Sequence, residues 1–97
     1  MKSKEEILSI LRGLKEYLKD KYFIIEIGAF GSLMRGEETQ DSDLDLLIDF
    51  KDGASLFTLT SLASFLEEKL QMKVDIIPKH ALREEIKKSV FKDMILL

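Results

Sequence analysis

Two apolar runs joined by a short polar stretch, between Phe23 and Phe50, constrain the fold of this chain more than any other feature. The first run, residues 23–29, leads into the pair Gly31-Ser32. After the polar stretch the chain returns as Asp43-Leu44-Asp45-Leu46-Leu47-Ile48-Asp49-Phe50. Short apolar runs bounded by glycine and polar residues are typical of β-strands. The stretch therefore predicts a strand, a tight turn with one helical turn, a loop and a second strand.

Acidic residues recur with the strand period in the second run. Side chains alternate between the two faces of a strand, so Asp43 and Asp45 lie on the same face. The opposite face carries Leu44, Leu46, Ile48 and Phe50. Two carboxylates about 6 to 7 Å apart, at a rise of ~3.3 Å per residue, can share a divalent cation. Asp49 is on that face too but lies roughly 13 Å beyond Asp45, and we interpret it as an ordinary surface carboxylate.

The turn between the two strands has the composition of an anion-binding site. Gly31 and Ser32 offer backbone N–H groups and a hydroxyl at the start of a helical turn, which is a natural seat for phosphate oxygens. Residues 33–35 form that turn and Gly36 ends it. Arg35 is a further candidate for phosphate contact, or it pairs with the neighbouring Glu37 or Glu38. Phosphate on one side and metal on the other is the layout of a nucleotidyl-transfer site.

A third carboxylate lies on a later strand. Residues 72–77 form an apolar run that ends at Pro78. Val74 and Ile76 face the core in this strand, so Asp75 lies on the opposite face, where Asp43 and Asp45 lie if the strands pair. Three carboxylates on one face repel each other unless they are neutralised. We therefore interpret these residues as ligands of a shared metal site.

Helical patterns surround the strands. Ser3 and Glu6 have the spacing of a capping box and precede an apolar stripe of Ile7, Ile10, Leu11, Leu14 and Leu18. A second helix follows Ser55 and connects the second strand to the third, as a crossover between parallel strands requires. A last helix spans residues 80–91, with Leu82, Ile86 and Val90 on one side and His80 in a surface or capping position at its start. The apolar residues 94–97 form an edge strand or a partner-binding patch. We predict an α/β fold, a small twisted mixed β-sheet with helices packed mainly on one face and the acidic site on the other.

Length and composition limit the remaining possibilities. A chain of 97 residues has room for a single domain, which we take to span residues 1–97. A formal charge of −3 argues against a protein that coats nucleic acid. No apolar run approaches the ~20 residues that cross a bilayer, and the N-terminal residues lack the apolar region of a signal peptide. The absence of cysteine fits a cytoplasmic protein.

The motifs together resemble a known superfamily. Gly31-Ser32, ten intervening residues and Asp43-Leu44-Asp45 resemble the signature of the DNA-polymerase-beta-like nucleotidyltransferases, and more closely that of their MNT-type (minimal nucleotidyltransferase) domains. The resemblance includes residues 30–36, residues 41–48 and Lys73-Val74-Asp75-Ile76, and therefore covers roughly residues 22–97. Many MNT domains carry arginine directly after Gly-Ser, where this chain has Leu33. Loss of that arginine would weaken nucleotide affinity unless Arg35 compensates.

The resemblance implies roles for the site residues. Two Mg²⁺ ions would be held by Asp43 and Asp45, with Asp75 completing the nucleophile-side site and helping to deprotonate the attacking hydroxyl. Gly31 and Ser32 would hold the β- and γ-phosphates of ATP.

The resemblance also implies a partner. MNT domains are commonly paired with a helical HEPN ribonuclease in a toxin–antitoxin module, in which AMP passes from ATP to a tyrosine of the toxin. An alternative is a non-catalytic module that neutralises the toxin by covering its active site through residues 94–97 and the exposed helices. Transfer to a small molecule such as an aminoglycoside is less favoured, because no acceptor-binding domain is present in this sequence. Self-association through the apolar residues 94–97 is a further expectation.

Overall fold

The computed structural model describes residues 2–37 and 43–97. Three helices, four strands and one 3₁₀ turn follow each other along these residues. They are α1 (Lys4–Lys21), β1 (Ile24–Phe30), β2 (Leu44–Phe50), α2 (Leu56–Leu70), β3 (Val74–Pro78), the 3₁₀ turn Lys79–Ala81, α3 (Glu84–Asp93) and β4 (Ile95–Leu96). The predicted loop over residues 38–42, the Asp41-Ser42 part of the motif and a pairing of Arg35 with Glu38 lie outside the described residues.

The strands form one mixed sheet in the order β3-β2-β1-β4. β1 pairs with β2 and with β4 in antiparallel orientation, whereas β2 and β3 are parallel. Parallel neighbours cannot be joined by a hairpin, and α2 supplies the crossover between them. The predicted mixed sheet and its crossover helix are confirmed.

The two long helices pack on one face of the sheet and form the main core with it. Their inward stripes include Ile7, Leu11 and Leu18 of α1 and Leu62, Leu66 and Leu70 of α2. The strands contribute Ile24, Ile27, Ala29, Leu44, Leu46, Ile48 and Val74 to the same core. Because the inward side chains of β2 are the alternate apolar residues, its carboxylates are left on the other face.

Both long helices begin where the sequence predicts. The Ser3 hydroxyl accepts a hydrogen bond from the Glu6 backbone N–H at 3.1 Å, and the Ser3 N–H donates to the Glu6 carboxylate at 3.1 Å. This is the expected capping box. Ser55 precedes α2, and its N–H donates to the Thr58 hydroxyl at 3.0 Å.

The opposite face of the sheet is covered in part. Phe30, Leu47, Leu82 and Val90 form a second, smaller cluster there, with Ile77 and Met94 packed against it. A Cβ built on Gly28 would overlap the sulfur of Met94, so the end of α3 lies directly on β1. The prediction that helices pack mainly on one face is confirmed, with α3 as the helix on the acidic face.

The third helix differs from its prediction. The chain forms a 3₁₀ turn at Lys79–Ala81, passes through extended backbone at Leu82 and Arg83, and only then enters α3. The extended link places Leu82 in the second cluster ahead of the helix. Within α3, Val90 is buried in the same cluster, whereas Ile86, one turn closer to the N-terminus, is 39% exposed. The predicted start of the helix at residue 80, with Leu82 on the helix beside Ile86 and Val90, is therefore wrong, because α3 begins at Glu84. The third strand also begins later than expected, at Val74, and includes Pro78.

The apolar residues 94–97 form an edge strand, which was one of two predicted alternatives. Ile95 and Leu97 pack against the main core and Met94 against the second cluster, whereas Leu96 is 53% exposed. Self-association through this segment stays a prediction. Among the described residues, no helix combines the length and apolar character needed to span a bilayer.

Candidate active site

Sheet register brings the predicted carboxylates onto neighbouring strands. Asp45 of β2 lies directly beside Asp75 of β3 in the parallel pair, and beside Phe30 of β1 in the antiparallel pair. Asp43 precedes β2 by one residue and all three carboxylates are half-buried. Residues at the same register position of adjacent strands share a face of the sheet. The predicted juxtaposition of Asp75 with Asp45 is therefore present.

The surroundings of Asp45 disfavour its charged form. Burial raises the pKa of the Asp45 carboxyl above its ordinary value, and the negative charges of Asp75 and Asp43 raise it further. The positive charge of Arg35 acts in the opposite direction. A cation placed among these carboxylates would relieve both the desolvation and the repulsion.

Gly31 lets the turn approach this carboxylate. Its φ of +91° lies in the region that favours glycine, and a Cβ built on it would overlap Oδ2 of Asp45. Both its backbone conformation and the space around it therefore require glycine. The Gly31 backbone therefore lies directly against the Asp45 side chain.

One helical turn follows Gly31. The N–H groups of Met34 and Arg35 donate to the Gly31 carbonyl at 3.1 and 3.2 Å. Gly36, with φ +77°, ends the turn as predicted. Because the ladder of the turn starts at the Met34 N–H, it does not use the N–H groups of Ser32 and Leu33. These two amides are the candidate donors to phosphate.

The side chain of Leu33 faces away from the site. It is buried in the main core between the turn and the long helices. Lys4 of α1 also binds this turn. Its ammonium donates a hydrogen bond to the Met34 carbonyl oxygen at 2.9 Å. A side chain at position 33 thus supports the turn rather than lining the candidate phosphate site.

Arg35 is held by two carboxylates. Its Nε lies 2.8 Å from Glu37 Oε2, which is one of the pairings that the sequence left open. Its Nη1 lies 3.3 Å from Asp93 Oδ2 at the end of α3. Sequence reasoning missed Asp93, because nothing local links two residues 58 positions apart. Phosphate contact by Arg35 stays a prediction.

Asp49 and His80 lie apart from the three carboxylates. Asp49 lies near the far end of β2, where its register partner on β1 is Glu26. His80 is exposed in the 3₁₀ turn and lines an open pocket with Phe50, Leu56 and Pro78. Sequence reasoning missed Lys73 as a neighbour of the carboxylates, because its ammonium lies 3.9 Å from Asp43 Oδ2 only in the folded chain.

The donor set suits a hard divalent cation. Asp43, Asp45 and Asp75 offer only oxygen ligands, which Mg²⁺ prefers, and the raised pKa of Asp45 shows how poorly its negative charge is compensated by the chain alone. Within residues 2–37 and 43–97, however, no three acidic, histidine or cysteine side chains already stand as an assembled metal site. Metal ligation by the three carboxylates accordingly stays a prediction.

Comparison with known proteins assigns the fold and the family. The family model for the nucleotidyltransferase domain matches residues 11–97. Protein adenylyltransferase MntA from Thermococcus cleftensis is 41% identical over 91 residues, covering 94% of this chain and 92% of that protein. A Methanocaldococcus jannaschii protein named as a candidate protein adenylyltransferase is 42% identical over 98 residues, covering both chains completely.

Solved structures give the same result. A structure described as a candidate minimal nucleotidyltransferase superposes with a TM-score of 0.76 at 33% identity, covering 93% of this chain and 95% of that one. A complex described as a tri-AMPylated Shewanella oneidensis HEPN toxin with an MNT antitoxin matches with a TM-score of 0.66 at 17% identity, covering 91% and 69% of the two chains. The second likeness shows the fold alone. The chain belongs to the nucleotidyltransferase domain family, among its minimal, MNT-type members.

Proposed function

We propose that this chain is a Mg²⁺-dependent protein adenylyltransferase that acts as an antitoxin, transferring AMP from ATP to a tyrosine of a HEPN-type partner toxin in the cytoplasm. The observation that carries the proposal is the pairing of Asp45 with Asp75 beside the Gly31-Ser32 turn. The adenylyltransferase name of a relative with 41% identity supports the reaction. The HEPN–MNT complex with the same fold supports the partner.

The chain's residues have distinct parts in this reaction. The N–H groups of Gly31 and Ser32, the adjacent Leu33 N–H and the Ser32 hydroxyl would bind the β- and γ-phosphates, with Arg35 as a further contact. The tyrosine oxygen attacks the α-phosphorus. The bond between the α-phosphorus and the oxygen that bridges the α- and β-phosphates breaks, and pyrophosphate leaves. Asp75 would take up the proton of the tyrosine hydroxyl. Asp43, Asp45 and Asp75 would hold two Mg²⁺ ions, which when bound offset the charge of the phosphates and activate the hydroxyl.

The fold leaves the carboxylates open to a protein acceptor. α3 and the 3₁₀ turn cover Leu47 and Ile77 farther along the same face, while Asp43, Asp45 and Asp75 stay half-buried. A tyrosine on the surface of a partner could therefore reach the α-phosphate.

A labelling experiment tests the proposal. The chain is incubated with its neighbouring-gene product, Mg²⁺ and ATP labelled at the α-phosphate, and we expect label on a tyrosine of the partner, located by mass spectrometry. Asp43→Asn/Asp45→Asn should lose the transfer by at least about 100-fold. Asp49→Asn, which removes a carboxylate from the same strand and face, is the matched control and should retain it. No labelling by the wild type, or equal labelling by the double variant, would reject the enzymatic proposal.

A second candidate function, non-catalytic neutralisation of the toxin, is favoured by one observation. Leu56 and Phe57 at the start of α2 are 77% and 84% exposed, as expected of a protein-binding surface. Under this hypothesis Asp43→Asn/Asp45→Asn would still neutralise the toxin, whereas Leu56→Ser/Phe57→Ser would not. Removal of residues 94–97 is a poor test, because Ile95 and Leu97 pack against the main core.

A further inference from the structure

The ion pair between Arg35 and Asp93 joins two distant parts of the chain. Asp93 is the last residue of α3, and its carboxylate lies 3.3 Å from Nη1 of Arg35. Glu37, which binds Nε of the same guanidinium, belongs to the segment next to the turn. The Asp93 contact is therefore the one that links the orientation of Arg35 to α3 and, through α3, to the sheet.

Asp93 stands where a helix disfavours an acid. The exposed carbonyl groups at the C-terminus of a helix carry partial negative charge, and a cation is preferred there. Its side chain is also only 24% exposed, against 61% for Glu37. A carboxylate that is both shielded and close to the negative end of a helix needs a cation beside it, and Arg35 is that cation.

Arg35 is well placed to act on a nucleotide. It is the only basic residue between Gly31 and Gly36, since position 33 is a buried leucine. Its positive charge lowers the pKa of Asp45, so the guanidinium lies within electrostatic reach of the carboxylates. Within residues 2–37 and 43–97 the two ion pairs use Nε and Nη1 of a group with five N–H donors, and Nη2 makes no hydrogen bond to these residues and can bind a phosphate oxygen.

We propose that Asp93 is a positioning residue that fixes the Arg35 guanidinium beside the Gly31-Ser32 turn, where it contacts the triphosphate of the bound nucleotide. This inference rests on the nucleotide site of the proposed function and adds a residue to it from the opposite end of the sequence. Without Asp93, Glu37 is the remaining partner of the arginine in the described part of the chain. Because Glu37 is exposed and lies on the same segment, the guanidinium then samples more orientations. Binding of the triphosphate then includes the cost of ordering the arginine side chain.

Nucleotide binding measured calorimetrically with ATP and Mg²⁺, without any acceptor, tests this positioning role. Asp93→Asn should weaken ATP binding roughly 3- to 10-fold, because one charge-assisted contact to the arginine is lost. Asp93→Glu restores the charge and should recover most of the affinity. Glu84→Gln is the matched control, since it removes the exposed pairing with Lys87 at 3.0 Å on the same helix. It should leave ATP affinity unchanged.

A double-mutant cycle separates positioning from a general structural effect. Arg35→Gln should weaken ATP binding, and adding Asp93→Asn to it should cause little further loss. AMP lacks the β- and γ-phosphates, so its affinity should change little in either variant. An unchanged Kd in Asp93→Asn, an equal loss in the Arg35→Gln background, or a wild type that binds no ATP would overturn the inference. ATP binding without AMP transfer to the partner would overturn the proposed function only.

Discussion

At the scale of single residues, the role proposed for Asp45 conflicts with its contribution to stability. A carboxyl whose pKa is raised by folding binds its proton more tightly in the folded state. Folding is therefore favoured as the pH falls through the interval between the ordinary and the raised value, and the charged side chain opposes folding at neutral pH. Such a conflict between stability and function is common at active sites.

Replacement of Asp45 should make this conflict measurable. We expect Asp45→Asn to raise the melting temperature at pH 7 while AMP transfer is lost, because the amide carries no charge to desolvate. The gain should diminish as the pH is lowered and disappear below the ordinary carboxyl pKa, where Asp45 is protonated in both states. Thermal melts of both proteins between pH 3 and pH 8 check this, and a stability gain that is independent of pH would contradict it.

Gly31 and Gly13 differ in whether their positions require glycine. Gly31→Ala forces a side chain into positive φ and against Asp45, and should cost about 1–3 kcal/mol of unfolding free energy together with AMP transfer. Gly13 lies inside α1 with nothing within 4 Å of an added Cβ. Gly13→Ala should stabilise the protein by up to about 1 kcal/mol. Urea unfolding of the two variants measures both effects.

At the scale of elements, local patterns predict the strands and the long helices but not the third helix. The alternation in residues 43–50 fixes which side chains of β2 face the core, and the stripe of α1 fixes its buried face. The orientation of α3 depends instead on two extended residues, Leu82 and Arg83, whose conformation is set by packing against the sheet. The inward direction of Leu33 and the contact from α3 to Arg35 likewise depend on how distant elements meet.

Two substitutions in α3 test how its two apolar residues one turn apart differ in burial. Val90 is buried in the smaller cluster, so Val90→Ala should cost about 2 kcal/mol. Ile86 is exposed, and Ile86→Ala should change stability by no more than about 0.5 kcal/mol. Chemical denaturation of the two variants measures both effects, and comparable losses in the two would contradict the observed burial.

At the scale of the whole molecule, the two faces of the sheet have different tasks. One face is fully occupied by α1 and α2 and supplies most of the buried apolar surface. The other is shared between the smaller cluster and the carboxylates. The alternation of apolar and acidic residues along β2 predicts this division from the sequence. It could not predict that the carboxylates stop short of an assembled three-ligand site, since that depends on side-chain placement.

Binding of Mg²⁺ should stabilise the entire fold. A ligand that binds only the folded state at 10 to 100 times its Kd adds about 1.4 to 2.7 kcal/mol. We therefore expect the melting temperature of the wild type to rise with MgCl₂ and to return to its starting value with EDTA. Asp43→Asn/Asp45→Asn should respond much less, whereas Asp49→Asn should respond like the wild type. An identical response of all three proteins would place the ion elsewhere.

The turn that follows Gly31 is contacted by Lys4 and, through Arg35, by Asp93. These contacts have a consequence for local unfolding of the protein. Lys4 in the first turn of α1 and Asp93 in the last turn of α3 both contact this turn, although 89 positions separate the two residues along the chain. Local unfolding of either helix end should release the turn. A nucleotide bound to the turn should therefore reduce local unfolding at both helix ends. Amide hydrogen exchange with and without ATP would record this as slower exchange at two places that are remote along the polypeptide.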